Sequence, residues 1–460
     1  MARSTVKDMT QGSPLKLIIG FAIPLLFGSL FQQLYNIVDT AIVGRYLGPS
    51  ALAAVGSTGC ISFLIIGFCM GMCSGFSIPV AQAFGAKDEA GLRRYVGNII
   101  YVSACLAAVL AVITSLLCPW MLRMLNTPQD IIADAQRYIR PIFMAIPVTV
   151  LYNMSSGILR SLGDSKTPVF FVATAALINV VLDIVFILHF NLGVMGAALA
   201  TVIGQLYSGV GCLVVMMKRF PILKLSRDDL RFRPEYAGRL VGMGIPMGLQ
   251  YSITAIGSVV IQTAINGLGT LSVAAVAAAV KLCNLFYCVI DALSSTMATF
   301  SGQNTGARKI YRIHQGVGTA STIGLIYSAI VLLAAWLLGP QLISMFISAE
   351  ETQVIALAHR YLIFNAIPYY FLVMVNVLRF AVQGMGFTRV AMFAGVAEMI
   401  ARTLVAVLLV PVLGFSGACC ANPVAWIAAD IFLFPCYLHV CKRRAQELGC
   451  PYRKDEIHAA

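Results

Sequence analysis

In the run FQQLYNIVDTAIVG, Phe31 to Gly44, three polar side chains, Gln32, Asn36 and Asp39, stand inside an otherwise apolar stretch. Intervals of four and three put them on one face of a helix. A carboxylate placed in hydrocarbon costs roughly 2.5–3.5 kcal/mol on insertion scales, so Asp39 is expected to face protein or water and to have a task. A second acid, Asp183, follows Asn179 by one turn in another apolar run, and Thr201 lies in a third. Two carboxylates, an amide and a hydroxyl are hard oxygen ligands, suited to a cation such as sodium or to a proton held by the acids. Two anions side by side in low dielectric cannot both stay ionised without one or the other. For Thr201 and for Asn179 alone, a helix-packing hydrogen bond is the competing account.

The elements that must carry these groups are membrane helices. The 460 residues are 59% hydrophobic and 11% charged, and apolar runs of about 20 residues recur to the C-terminus. The expected fold is an all-α integral membrane protein. Its first apolar run, from Leu17, has no small-residue cleavage pattern and is followed by many more, so it reads as a permanent helix and not a signal peptide. The net charge of +13 is spread over alternate loops and not gathered with aromatics in one domain, which excludes a nucleic-acid partner. The thirteen cysteines contain no CxxC pair and read as small buried hydrophobes; no zinc or disulfide framework and no cofactor is expected.

Polar and Gly/Pro punctuation divides the chain into twelve candidate spans: 17–44, 52–84, 95–118, 135–160, 167–189, 194–217, 238–265, 272–303, 313–338, 355–384, 389–411 and 416–440. Sliding the chain past itself by about 221 residues reveals a repeat. GFAIP, ending at Pro24, returns as GMGIP, ending at Pro246. AQAFGAK with Gln82 returns as SGQNTGAR with Gln303, AIP at Pro147 as AIP at Pro368, and LGVMGAALAT as LGFSGACCAN, which pairs Thr201 with Asn422. Each unit holds six spans, an even number, so both halves keep one membrane orientation, as in transporters with parallel repeats. The expected organisation is an N-lobe at 1–217, a linker at 218–237, a C-lobe at 238–441 and a tail at 442–460. Lys and Arg crowd one set of loops, from Arg3, Lys7 and Lys16 to Lys442, Arg443 and Arg444, so both termini are expected in the cytoplasm, with the chain multi-pass in the inner or plasma membrane.

With that orientation, Asp39 and Asp183 each lie six residues below the outer end of a span, about 9 Å, and Thr201 lies at a similar depth of about 12 Å. Four polar groups from three helices thus share one level of the N-lobe, and the predicted cation site is Asp39, Asn179, Asp183 and Thr201; these are also the metal ligands if sodium is the ion. The C-lobe is not a copy: Ile261 matches Asp39, and its acids are Asp291, Glu398 and Asp430 beside Lys281, Arg379 and Arg402. Glu398 and Arg402, four apart, are expected to pair. Lys281 is read either as a counter-charge to an acid or as cavity lining. Gln32, Tyr35, Asn36, Gln250, Lys281 and Arg402 are candidates for a substrate cavity. Aromatic and methionine residues such as Phe63, Met70 and Tyr287 suit an adaptable wall or, individually, plain packing. Pro24 and Pro246 mark expected bends.

These residues resemble the multidrug and toxic compound extrusion (MATE) transporters, of the larger group that includes polysaccharide and lipid-linked precursor flippases. The resemblance spans nearly the whole chain. It rests on Pro24 and Asp39, the Q-x-x-G-A pattern at Gln82 and Gln303, LRSLGDSKTP from Leu159 to Pro168, the N-x-x-x-D of Asn179 and Asp183, and Thr201 in LGVMGAALAT. It implies an antiporter that exports organic cations in exchange for external Na+ or H+, with Asp39, Asn179, Asp183 and Thr201 matching the family's N-lobe cation site; separately, a monomer is expected. One branch carries an acid in span seven where this chain has Thr254, which leaves coupling to the N-lobe site. A lipid-linked saccharide flippase is the alternative on the same fold. An enzyme is not expected, because His189, His314, His359 and His439 are scattered near span ends with no nucleophile set. Nor is a passive channel, which would need a ring of repeated charges.

Overall fold

The structure, a computed structural model, describes residues 7–125, 127–348 and 350–452. Arg3 and the tail residues 453–460 lie outside the described residues. The helices are α1 (Pro14–Ser57), α2 (Gly59–Gly85), α3 (Glu89–Met124), α4 (Ile132–Met144), α5 (Ile146–Ser161), α6 (Lys166–Ile184) and α7 (Val194–Arg219). After the connector come α8 (Pro234–Asn266), α9 (Thr270–Gly306), α10 (Ile310–Ser344), α11 (Thr352–Ala366) and α12 (Tyr369–Gly384). The chain ends with α13 (Thr388–Leu404), α14 (Val410–Leu413), α15 (Phe415–Cys419) and α16 (Ala421–Leu448). One π-helical turn extends α6 over Val185–His189 and another extends α13 over Val405–Leu409.

Among the described residues ten helical runs are long and apolar enough to cross a membrane, and two bent pairs, each counted as one span, bring the total to twelve. The pairs are α4 with α5, bent by 48°, and α11 with α12, bent by 50°. Both bends fall on the repeated AIP, where proline lacks the N–H that would continue the helical ladder and its ring clashes with the preceding turn. The proline bends expected at Pro24 and Pro246 are not breaks: each lies inside a continuous helix.

The repeat recurs in the backbone, inside the repeated motifs and also at one pair outside them, Gly48 and Gly269. Gly48 and Gly269 have φ of 86° and 92°, Lys87 and Arg308 of 58° and 57°, and Gly193 and Gly414 of 58° and 56°. Gly48 falls between the predicted spans 17–44 and 52–84: the chain turns sharply there between two helical stretches, which run together as α1 (Pro14–Ser57). A left-handed φ at glycine and a proline in the next position, already set for a first helical turn, allow the turn without an intervening loop.

The Q-x-x-G-A motif ends α2 and α9 alike. In each, the residue after Ala is left-handed and the next N–H returns to the helix: Asp88 N to Ala83 O at 3.0 Å, and Lys309 N to Asn304 O at 2.9 Å. LGDSKTP is a helix start. Gly163, at φ 86°, leaves room for the backbone of Lys7, and the Asp164 carboxylate accepts from the N–H groups of Lys166 and Thr167, both at 3.0 Å, and from the Thr167 hydroxyl at 2.6 Å.

By packing, the chain divides into unit 1, Met1–Asp8 and Ile23–Ser252, and unit 2, Met9–Ala22 and Ile253–Ala460. The divisions fall inside α1 and α8, not in the 218–237 connector. In unit 1 the Gln82 side chain accepts from Arg239 at 2.9 Å, and Asn98 accepts from the Arg233 N–H at 2.8 Å. In unit 2 Gln303 accepts from the Met9 N–H at 2.8 Å, while Arg312 donates to Gly12 O at 2.9 Å. The first turns of α8 and the segment that leads into α1 are therefore each fastened through a motif glutamine.

Within unit 1, α2 and the first half of α8 meet at glycines. A Cβ on Gly75 would lie 2.6 Å from the Gly244 Cα, and one on Gly71 2.5 Å from the Met247 carbonyl oxygen. Small residues four apart let membrane helices approach to backbone contact. Gly75→Val is expected to force the pair apart and cost about 1–3 kcal/mol. A melting temperature in detergent equal to that of the unsubstituted protein would refute this close approach.

Candidate functional site

Unit 1 brings Asp39 of α1 and Asp183 of α6 together. Their relative exposures are 8% and 0%, and the two carboxyl groups are within hydrogen-bonding reach of each other. Each nevertheless keeps one oxygen, Oδ1, buried and without a partner among the described residues. Asn179, one turn before Asp183, is 2% exposed. In the amide orientation its neighbours select, its nitrogen donates to Asp183 Oδ2 at 3.1 Å and its oxygen accepts from the Thr201 backbone N–H at 3.1 Å. The Thr201 side chain is hydrogen-bonded to the Tyr35 hydroxyl, and Tyr35 stands one turn before Asp39 on the same face of α1. The four residues predicted for the cation site are thus mutually connected, with Tyr35 as a fifth member.

A sixth group escaped the sequence reading. Tyr138, on α4, lies within electrostatic reach of Asp39, Asp183 and Tyr35. Its only signal was a lone hydroxyl between Arg137 and Arg140, which point to other faces of the helix and drew attention to charge instead. Tyr138 also packs against an apolar cluster formed by Ile42, Val43, Ala51, Ile187, Val194 and Ala197. Ile42 follows Asp39 by three residues, Ile187 follows Asp183 by four and Ala197 precedes Thr201 by four, so this cluster covers one end of the polar group. Its effect is to keep bulk water from that side, which strengthens every electrostatic interaction at the carboxyls.

The remaining candidates are dispersed. Gln32 and Asn36 share the helical face of Asp39 but are exposed, two turns and one turn before the point where Asp39 meets α6. Gln250 is buried at 4% exposure within unit 1. In unit 2, Lys281 is exposed, its Nζ lies 5.9 Å from the centre of the Phe346 ring, and it lines a cavity of about 420 Å³ with Thr270, Glu351 and Val354. Arg402 has a different setting. It pairs with Glu398 at 3.4 Å, as its spacing of four leads one to expect, and the other Glu398 oxygen is held by Arg379 of α12. Arg402 Nε donates to Asn422 Oδ1 at 3.4 Å, so the unit-2 counterpart of Thr201 is turned toward a resident guanidinium.

The MatE family model matches this chain twice, over residues 24–185 and 246–408. The chain belongs to the MATE family. It is 30% identical over 356 residues to the probable multidrug resistance protein YoeA of Bacillus subtilis (strain 168), covering 76% of each chain. A crystal structure of a MATE in complex with MaL6 shares the fold with a TM-score of 0.88, at 21% identity, over 98% of this chain and 100% of that one. An outward-facing multidrug resistance MATE of the MOP superfamily gives a TM-score of 0.87 at 21% identity, over 98% and 99% of the two chains. The two family matches coincide with the two halves of the repeat. As a MATE, the chain is a multi-pass membrane transporter of the multidrug type, not an enzyme.

Proposed function

We propose that this MATE protein is a secondary antiporter of the plasma membrane, both termini cytoplasmic, which exports cytoplasmic organic cations as a monomer. External Na+ or H+ occupies Asp39, Asn179, Asp183 and Thr201, and two lobes alternate access. The observation that carries this reading is the meeting of Asp39 and Asp183 from separate helices, each with one buried oxygen that no donor among the described residues satisfies. Such a pair is stable when a proton lies between the carboxyls or a cation balances them. As oriented, Asn179 gives its N–H to Asp183, an arrangement suited to a proton; to ligate sodium, the amide would have to turn its oxygen inward.

Exchange requires that the cation and the organic substrate prefer different conformations, since a ligand of equal affinity for both shifts nothing. The membrane potential supplies about 2.3 kcal/mol per charge per 100 mV. The flippase alternative would draw on arginines for pyrophosphate, yet Arg379 and Arg402 are engaged by Glu398. Sealed vesicles loaded with purified protein and a fluorescent organic cation, with sodium and pH gradients imposed one at a time, test the proposal. Transport driven by one of these gradients and abolished by its ionophore is expected; transport indifferent to both would overturn it.

A further inference from the structure

Unit 2 holds a second carboxyl that the reading above does not use. Asp430 lies in the middle of α16, two turns after Asn422, and both of its carboxyl oxygens are buried with no hydrogen-bond partner among the described residues. The helices packed against α16 surround it with charge. From α13 come Glu398 and Arg402, and from α12 comes Arg379; Arg379 and Glu398 are both within electrostatic reach of Asp430. From α11, Tyr361 and Asn365 take hydrogen bonds from Asn422 at 3.1 and 3.2 Å. From α10, His314 bonds to Tyr437, two turns further along α16, at 2.9 Å. Arg379 gives one nitrogen to Glu398, while its Nε is buried and unpartnered, and so is Arg402 Nη1.

This differs from a closed structural ion-pair network, in which every buried charged atom finds a partner. Two arginines and one glutamate are linked, and the second acid stands beside them with nothing donated to it. An ionised carboxylate would draw the free Arg379 N–H toward itself; a protonated one has no such need. Glycine occupies the matching place in the other half: a Cβ on Gly209 would already lie 3.1 Å from the Tyr152 backbone nitrogen. Unit 2 therefore has room for an acid at a position that unit 1 closes by packing.

We propose that Asp430 is a proton-binding site, distinct from the unit-1 carboxyl pair, that loads and unloads one proton during the transport cycle. A proton from solvent adds to a carboxylate oxygen, and the net charge of Arg379, Glu398, Arg402 and Asp430 changes from zero to +1. On its release, Arg379 swings part of its guanidinium from Glu398 to Asp430. The ligand is a proton and not sodium, because the permanently charged Arg379 beside the acid repels a metal cation, whereas a proton neutralises the acid without competing for space. The site stands on unit-2 geometry alone and does not depend on what binds Asp39 and Asp183.

The test is a pH titration of purified protein followed by infrared difference spectroscopy, with proton uptake counted in weak buffer. The wild type is expected to show a carboxylic-acid C=O band that vanishes as pH rises and is absent in Asp430→Asn, which also takes up about one proton fewer per chain. Asp430→Glu should restore a titrating band at a shifted position, which guards against a fold defect in the asparagine variant. The band should persist in Asp39→Asn/Asp183→Asn and be unmoved by sodium. A band that survives in Asp430→Asn, equal proton uptake by that variant and the wild type, or a shift of the Asp430 band on adding sodium would each overturn the proposal.

Discussion

Asp39→Asn is expected to remove the cation-driven component of export while leaving the protein folded. The substitution keeps the side chain's shape but takes away the charge that a sodium ion or a shared proton would balance. The introduced amide can donate to the remaining carboxyl, so Asp183 is then satisfied by the protein itself, through that amide and through Asn179 at 3.1 Å. The cluster then has no reason to favour one conformation when cation is present. A coupling free energy of about 1–3 kcal/mol corresponds to a 5- to 150-fold effect, and that is the expected drop in gradient-driven export. Accumulation of a fluorescent organic cation in cells making equal amounts of each variant measures it. Asp183→Asn should behave alike. If the pair served packing alone, both variants would export at the wild-type rate and differ only in melting temperature.

The same cluster shows how far the sequence could be read. Equal depth and helical spacing were enough to collect Asp39, Asn179, Asp183 and Thr201, because in a membrane helix depth follows from residue number and acids seldom face lipid. The twofold pattern was legible because its motifs recur at one spacing. The bends were not: they were expected at Pro24 and Pro246 and occur at the repeated AIP, because membrane helices accommodate some prolines without a break. Contacts between helices were not. Tyr138 reaches the carboxyls from α4, and Arg379 reaches Glu398 across 19 residues, and no periodicity within one helix encodes either meeting. Arg402 and Glu398, four apart on one helix, were legible. The break between the first two spans was legible at Gly48–Pro49, because a glycine–proline pair punctuates a helix; that it joins two helical stretches with no loop between them was not.

Glu398 carries the second large expectation, on stability. It is 3% exposed, and two guanidinium groups, themselves 6% exposed, converge on its oxygens. Glu398→Ala leaves both arginines buried with their principal counter-charge gone. Breaking a buried pair from one side typically costs about 3–5 kcal/mol, because the orphaned charge cannot recover its hydration. A marked fall in melting temperature, read by gel filtration of heated detergent extracts, is therefore expected. Replacing Arg379, Glu398 and Arg402 together by methionine or leucine of similar volume should recover most of that loss, since desolvation no longer has to be offset by ion pairing. Asp430 adds a finer discrimination. In Glu398→Ala it remains as an acid within electrostatic reach of Arg379, and by ionising and accepting the freed guanidinium it should soften the damage. Glu398→Ala/Asp430→Asn should then lose more stability than the two single substitutions combined, the signature of residues acting on one shared charge. Additive losses would mean that Arg379 does not move between the two acids, and the charge exchange assigned to this cluster would have to be abandoned.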